Sequence, residues 1–210
     1  AGALRRHGFR CTVMLNASAA GIAAALRALC DVTKHSDAAV VVYVGHGLLF
    51  ESDTPVEDER GGPPRPRRQQ ALVPVDIDES TADDPRVITG LDLALALELL
   101  DARCHNATLV LDCCHAVGMA SDVATGCPVT RATVEALKHE LIAQRAIRRR
   151  GEPTSCPVRV LASATVHQAY EIDEGTPGRP RKVGAFSRAL AEVLRACPQD
   201  TPWWAVEARV

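Results

Sequence analysis

Aromatic side chains are scarce, 3% of 210 residues, while AVILMFWYC together reach 47%. The core must therefore be packed from Ala, Val and Leu, and at that apolar content a disordered chain is excluded. No apolar run comes near the roughly 20 residues of a membrane span, since VVVYV and TLVLD are strand-length. No signal-peptide pattern opens the chain. Neither sign of charge dominates: Lys+Arg 24 against Asp+Glu 26 leaves a net charge of -2, too little to draw the protein to nucleic acid or to an anionic membrane. CxxC spacing is also missing. The eight cysteines, at 11, 30, 104, 113, 114, 127, 156 and 197, fall mostly inside apolar runs, so they read as reduced, small apolar residues of a soluble cytoplasmic protein, with no metal site.

What is present is an alternation of strand and helix patterns. CTVML (Cys11 to Leu15) has strand composition, Asn16 or Ser18 can cap a following helix, and Ile22, Leu26, Leu29 and Cys30 recur on one helical face. AVVVYV (39–44) is nearly continuous in apolar residues, as in a strand buried on both faces, and it stops at Gly45-His46-Gly47. Residues 51–70, rich in Pro, Gly and mixed charge, read as an exposed loop, and ALVPVD (71–76) as a short strand. Thr89 caps a helix marked by Leu93, Leu97 and Leu100. ATLVLD (107–112) repeats the buried-strand pattern and stops at Asp112-Cys113-Cys114-His115. A helix is predicted over Arg131 to Arg149, strands over 158–164 and 169–172, and a helix from Val183 to Leu194. Strands alternating with helices predict an α/β domain around a mainly parallel sheet.

In an open α/β sheet, chemistry gathers beyond the carboxyl ends of the strands, where VGHG and LDCCH both fall. A thiol nucleophile needs an accessible position and a basic neighbour, most often imidazole, and His46 and Cys114 can meet there across adjacent strands. Glycine beside His46 lets a substrate carbonyl approach closely and an N–H face a developing oxyanion. A His in a Gly turn or a buried Cys is, alone, an ordinary turn or packing residue; the pairing of the two strand ends is what carries specificity.

VVVYVGHG and TLVLDCCHAVG resemble the His and Cys motifs of the caspase-like cysteine peptidases, in the metacaspase and bacterial caspase-domain branch. LRRHGFRCTVMLNASAAGIAAALRAL, ALVPVDID with VITGLDLALAL, and VLASATVHQAYEI with VGAFSRALAEVL are similar to further segments of that family. The resemblance implies a caspase-like (caspase-hemoglobinase) α/β fold, with helices on both faces of the sheet. It implies a single domain over 1–210: a large-subunit-like part (1–120), a linker region (121–157) and a small-subunit-like part (158–210), without the family's first strand and helix. It implies Cys114 as nucleophile, His46 as general acid/base, Gly47 and the Cys114 backbone N–H as oxyanion donors, and Asp112 in the primary specificity pocket, selecting Arg or Lys. Ser163 aligns with a wall of that pocket. Ala116-Val117-Gly118 stands where the family has Ser-Gly after the Cys-His pair. A catalytically inactive scaffold or regulatory module is the alternative, whereas a hydrolase elbow of GxCxG type is absent.

Two basic clusters match such a pocket. Arg148-Arg149-Arg150 lies between the two subunit-like parts and is a candidate self-cleavage site, with Arg65, Arg67 and Arg68 as a second. The expected partners are protein or peptide substrates with a basic residue at the cleaved bond, together with flanking sensor or effector domains. No cofactor is required. Asp76, Asp78, Glu79, Asp83 and Asp84 lack an EF-hand spacing, which leaves calcium activation open. Trp203 and Trp204, after Thr201-Pro202, read as a terminal packing anchor. Arg outnumbers Lys 21 to 3, as in a GC-rich bacterial coding sequence.

Overall fold

The computed structural model describes residues 1–56, 65–81, 84–114, 158–162, 169–176 and 181–210. Its centre is a three-stranded parallel sheet of β1 (Ala39–Val44), β5 (Ala107–Asp112) and β6 (Val158–Leu161), in the order β1-β5-β6. The expected pairing of the two apolar runs is present in register, from Ala39 opposite Ala107 to Val44 opposite Asp112. β5 is the middle strand and is buried along its whole length, which explains a run without polar alternation before Asp112.

Side-chain parity divides the layers. Ala107, Leu109 and Leu111 face one core, shared with Cys30 of α2 (Ala19–Val32) and Leu93, Leu97 and Leu100 of α3 (Gly90–Cys104). Val110 faces the other, shared with Val160, with Leu190 of α4 (Ala185–Ala196) and with Val206 of α5 (Trp203–Glu207). Helices therefore cover both faces, as the α/β reading requires. A short α1 (Gly2–Arg6) is tied to the end of α4, where His7 Nε2 lies 2.6 Å from the Leu194 carbonyl. Trp203 packs against the second core, as an anchor would.

Local signals explain the main helices. α2 starts where Ser18 Oγ accepts the Gly21 N–H at 3.1 Å. α3 starts at a full capping box, in which Thr89 Oγ1 accepts the Asp92 N–H and the Asp92 carboxylate accepts the Thr89 N–H. It ends at His105, whose left-handed backbone (φ 55°) stops the helix.

Three expectations are corrected. Residues 51–70 are not simply a loop: β2 (Gly47–Val56) and β3 (Arg65–Leu72) form an antiparallel hairpin, continued by the short β4 (Ile88–Thr89). Composition misled because a hairpin needs backbone pairing rather than apolar side chains along its length. Its prolines, Pro55 and Pro66, face each other beyond a register shift after Ser52, where a missing N–H interrupts little. The strand expected over 71–76 ends at Leu72 and is followed by a 3-10 turn at Ile77–Glu79, because Pro74 cannot donate to a ladder. Cys11–Leu15 is not a strand. Among the described residues this segment pairs with no strand, although β1 pairs only with β5 and keeps its outer edge unpaired, and Val13, Met14 and Leu15 are exposed. The remaining elements, β7 (Glu171–Asp173) and β8 (Lys182–Gly184), form a small antiparallel pair leading into α4. The helix expected over 131–149 and the linker 121–157 lie outside the described residues.

Replacing Leu100, which is wholly buried, by Ala should lower stability by about 3 kcal/mol through the cavity it leaves. Thr89→Ala should lower it by about 1 kcal/mol through the lost cap, with Thr89→Ser close to wild type. Denaturant titration followed by circular dichroism checks both.

Candidate active site

Parallel pairing delivers the two motif turns to the same edge. Gly45 donates its N–H to the Asp112 carbonyl at 3.1 Å, so the β1–β5 ladder continues into the His46 and Cys114 turns. The His46 backbone is fixed from a third direction: its carbonyl accepts the Val73 N–H at 3.0 Å and the Tyr43 hydroxyl at 2.9 Å. The His46 side chain is exposed. A well-held backbone with an accessible imidazole is what a proton carrier needs.

Gly47 packs directly on the Cys turn. A Cβ at this position would overlap the Cys114 carbonyl and crowd the Cys113 sulfur. Its pairing supplies a second property. Val73 N–H bonds His46 across the Gly47–Leu72 pair, which makes Gly47 the non-hydrogen-bonded member of that pair, with its N–H directed away from β3. Among the described residues no carbonyl accepts that N–H.

The adjacent cysteines differ sharply. Cys113 continues the parity of Leu109 and Leu111 into the α2/α3 core and is 2% exposed. Burial, with smaller contributions from the neighbouring Cys114 and Asp112, pushes its thiol up to about 12. Cys114 is half-buried at the turn. A thiol that cannot ionise near neutral pH is a packing group, which leaves Cys114 as the accessible nucleophile candidate.

Asp112 follows the opposite parity, toward α4. It is 3% exposed, and its Oδ2 accepts the Ser187 N–H at 2.8 Å. The arrangement thus brings together His46, Gly47, Asp112 and Cys114 at one end of the sheet. Ser163, His115 and Arg148–Arg150 lie outside the described residues; β6 ends at Leu161, with the Ala162 N–H bonded to the Leu111 carbonyl. Ser187 and Gly184 were not anticipated, although the reach of Asp112 is written in the alternation of LVLD.

The acidic run does not behave as one cluster. Asp76 is buried, with Oδ1 accepting the Ala19 N–H at 2.9 Å and Oδ2 bonded to Arg86 at 3.2 Å, and Arg86 also pairs with Asp84. Asp83 lies outside the described residues. No group of three or more His, Cys, Asp or Glu positioned for a metal occurs among the described residues, and none of the six described cysteines is in a disulfide. Among the described residues no helix is long and apolar enough to cross a membrane.

The family model of the caspase domain matches residues 1–203 of the chain. No curated protein matches it.

Alkylation by iodoacetamide at pH 8 should modify Cys114 and leave Cys113, of which only about one molecule in ten thousand carries a thiolate at that pH; peptide mapping by mass spectrometry distinguishes the two, and equal labelling would refute the assignment. The raised Cys113 pKa also has a stability consequence. The folded chain keeps a proton that the unfolded chain loses near 9.0, so this contribution is whole below that pH and is lost as pH rises toward about 12. Cys113→Ala should flatten the decline of stability across this window.

Proposed function

The chain belongs to the caspase-domain family of cysteine peptidases, and on that premise we propose that it is an endopeptidase cleaving protein substrates after Arg or Lys, with Cys114 as nucleophile and His46 as general acid and base. The observation that carries the proposal is the meeting of two strand ends: the His46 turn and the Cys114 turn adjoin at the carboxyl edge of β1 and β5, with Gly47 against the Cys114 backbone.

The chemistry follows from these groups. Cys114 gives its thiol proton to His46, and the resulting thiolate attacks the carbonyl carbon of the scissile peptide, forming a C–S bond while the carbonyl oxygen takes up negative charge. The N–H of Gly47, unused by the β-ladder, together with that of Cys114, donates to this oxygen. Collapse breaks the C–N bond, and His46 protonates the departing amine. Water then attacks the thioester, giving its proton to His46, and the thiol is released with the carboxylate product. No step requires a cofactor, and calcium enters as a condition to be varied rather than a reactant.

Specificity rests on Asp112. A buried carboxylate beside the nucleophile attracts a guanidinium or ammonium group and repels an acidic side chain. Its Oδ2 is engaged by Ser187, and among the described residues no donor bonds Oδ1, so that oxygen is available to a cation. The same preference makes Arg148-Arg149-Arg150, between the two subunit-like parts, a substrate for the chain itself.

Matched fluorogenic peptides ending in Arg, Lys or Asp, with and without millimolar calcium, test the proposal. Arg and Lys peptides should be cleaved and Asp peptides not, with activity abolished in Cys114→Ala and reduced by about 100-fold or more in Asp112→Ala, as expected for deleting a buried charge contact. Cleavage after Asp would overturn the specificity, and an inert wild type would favour the non-catalytic module, for which the Ala116-Val117 departure already speaks. Mass spectrometry of the purified chain should find a cut after Arg148, Arg149 or Arg150 that Cys114→Ala lacks.

A further inference from the structure

α4 begins in an unusual way. Helix N-termini leave backbone N–H groups unsatisfied, and a Ser, Thr, Asp or Asn at the N-cap usually accepts the one three residues on. Here the N-cap is Gly184, which has no side chain to offer, and the third residue is Ser187. The missing acceptor comes from another element: Asp112, at the end of β5, takes the Ser187 N–H at 2.8 Å. The carboxylate occupies the volume a local cap would fill, because a Cβ on Gly184 would overlap both its Oδ2 and its Cγ. Gly184 has an ordinary φ of -63°, so space rather than backbone conformation demands glycine at this position.

Resting on the specificity proposed above, we infer that Gly184 and the first turn of α4 are the positioning device of the specificity carboxylate. Gly184 leaves the room and the Ser187 N–H fixes Oδ2, which turns Oδ1 toward the incoming cation. The preference for basic residues then depends on two parts of the chain at once. Asp112 belongs to the large-subunit-like part and α4 to the small-subunit-like part, so the pocket acquires its charge geometry only when α4 is seated against β5. Gly184 is a positioning residue and touches no reacting atom.

The test compares Gly184→Ala with Gly90→Ala in the whole chain. Gly90 also opens a helix, but its Cβ would meet only the Gln70 carbonyl at an ordinary 3.5 Å. Gly184→Ala should lower kcat/KM on Arg and Lys peptides on the order of 10- to 100-fold, chiefly through KM, as expected for misaligning a charge-assisted contact. Its rate of Cys114 alkylation should stay at the wild-type value, and Gly90→Ala should match wild type in both. Should Gly184→Ala fold poorly, the double variant Gly184→Ala/Asp112→Ala decides: with the carboxylate gone the methyl has room, so Gly184→Ala should lower Tm much less in that background than in the wild type. Wild-type cleavage by Gly184→Ala, or Tm effects that simply add, would overturn the inference. Failure of the underlying specificity looks different, since Asp112→Ala would then cleave basic peptides normally while the Tm coupling between 112 and 184 persisted; that result overturns the role in specificity and leaves a structural cap.

Discussion

The in-register parallel pairing of β1 with a β5 buried on both faces is the constraint from which the site follows. A strand covered on both sides sends alternate residues into different cores. The parity that takes Leu109 and Leu111 toward α2 and α3 takes Cys113 with them, and the parity of Val110 takes Asp112 toward α4. One residue of slippage would exchange the cysteine and the aspartate, placing a carboxylate in an apolar core without donors. That penalty, several kcal/mol for an unpaired buried charge, far exceeds the spread among conservative apolar packings. Register at the active edge is therefore enforced by the polar residue as much as by the apolar ones.

Buried carboxylates recur as ties between strand ends and helix starts. Asp76, after β3, accepts the Ala19 N–H at the beginning of α2, and Asp112, the last residue of β5, accepts the Ser187 N–H at the beginning of α4. In each case the unsatisfied donors of a helix N-terminus and its partial positive charge offset the cost of taking a carboxylate out of water. Local caps act alongside or instead: α2 keeps Ser18 as well, α3 relies on Thr89 and Asp92, and α4 has no local cap at all. Of these helices, α4 is the one whose first donors are met only from outside it, the Ala185 N–H by the Tyr170 carbonyl at 2.8 Å and the Ser187 N–H by Asp112, which sits two positions before the candidate nucleophile.

How much of this was legible in the sequence depended on whether the determining contacts were local. The two apolar strands, the Thr89 cap and the Leu93–Leu97–Leu100 stripe are properties of short windows, and the structure has them where the patterns put them, with one correction: β5 is buried on both faces as expected, whereas β1 stands at the edge of the described sheet and leaves Val42 and Val44 exposed. The meeting of the His46 and Cys114 turns was legible because two apolar runs ending in polar residues have few other ways to share a parallel sheet. The hairpin over 47–72 was hidden, since its ladder is backbone to backbone and its side chains advertise a loop. Cys11–Leu15 misled in the opposite direction: strand composition alone does not make a strand, even where the outer edge of β1 is unpaired among the described residues. Gly184 was silent because a glycine at a helix start is commonplace until the atom filling its missing side chain is known.

Two glycines bracket the Asp112–Cys114 segment, and neither is there for a turn. Positive φ among the glycines belongs to Gly8 alone in the described residues. Gly47, entering β2, abuts the Cys114 carbonyl, and Gly184, entering α4, abuts the Asp112 carboxylate. A methyl at either would push on the segment, whose middle residue Cys113 is anchored in the α2/α3 core. Close approach by two backbones holds three consecutive residues with different tasks: a charge turned toward α4, a thiol buried in the core, and a thiol left accessible. Packing of this kind tolerates little adjustment, so the spacing between the Asp112 carboxylate and the candidate nucleophile Cys114 is constrained by contacts from the hairpin and from α4 as well as by β5, which ends at Asp112.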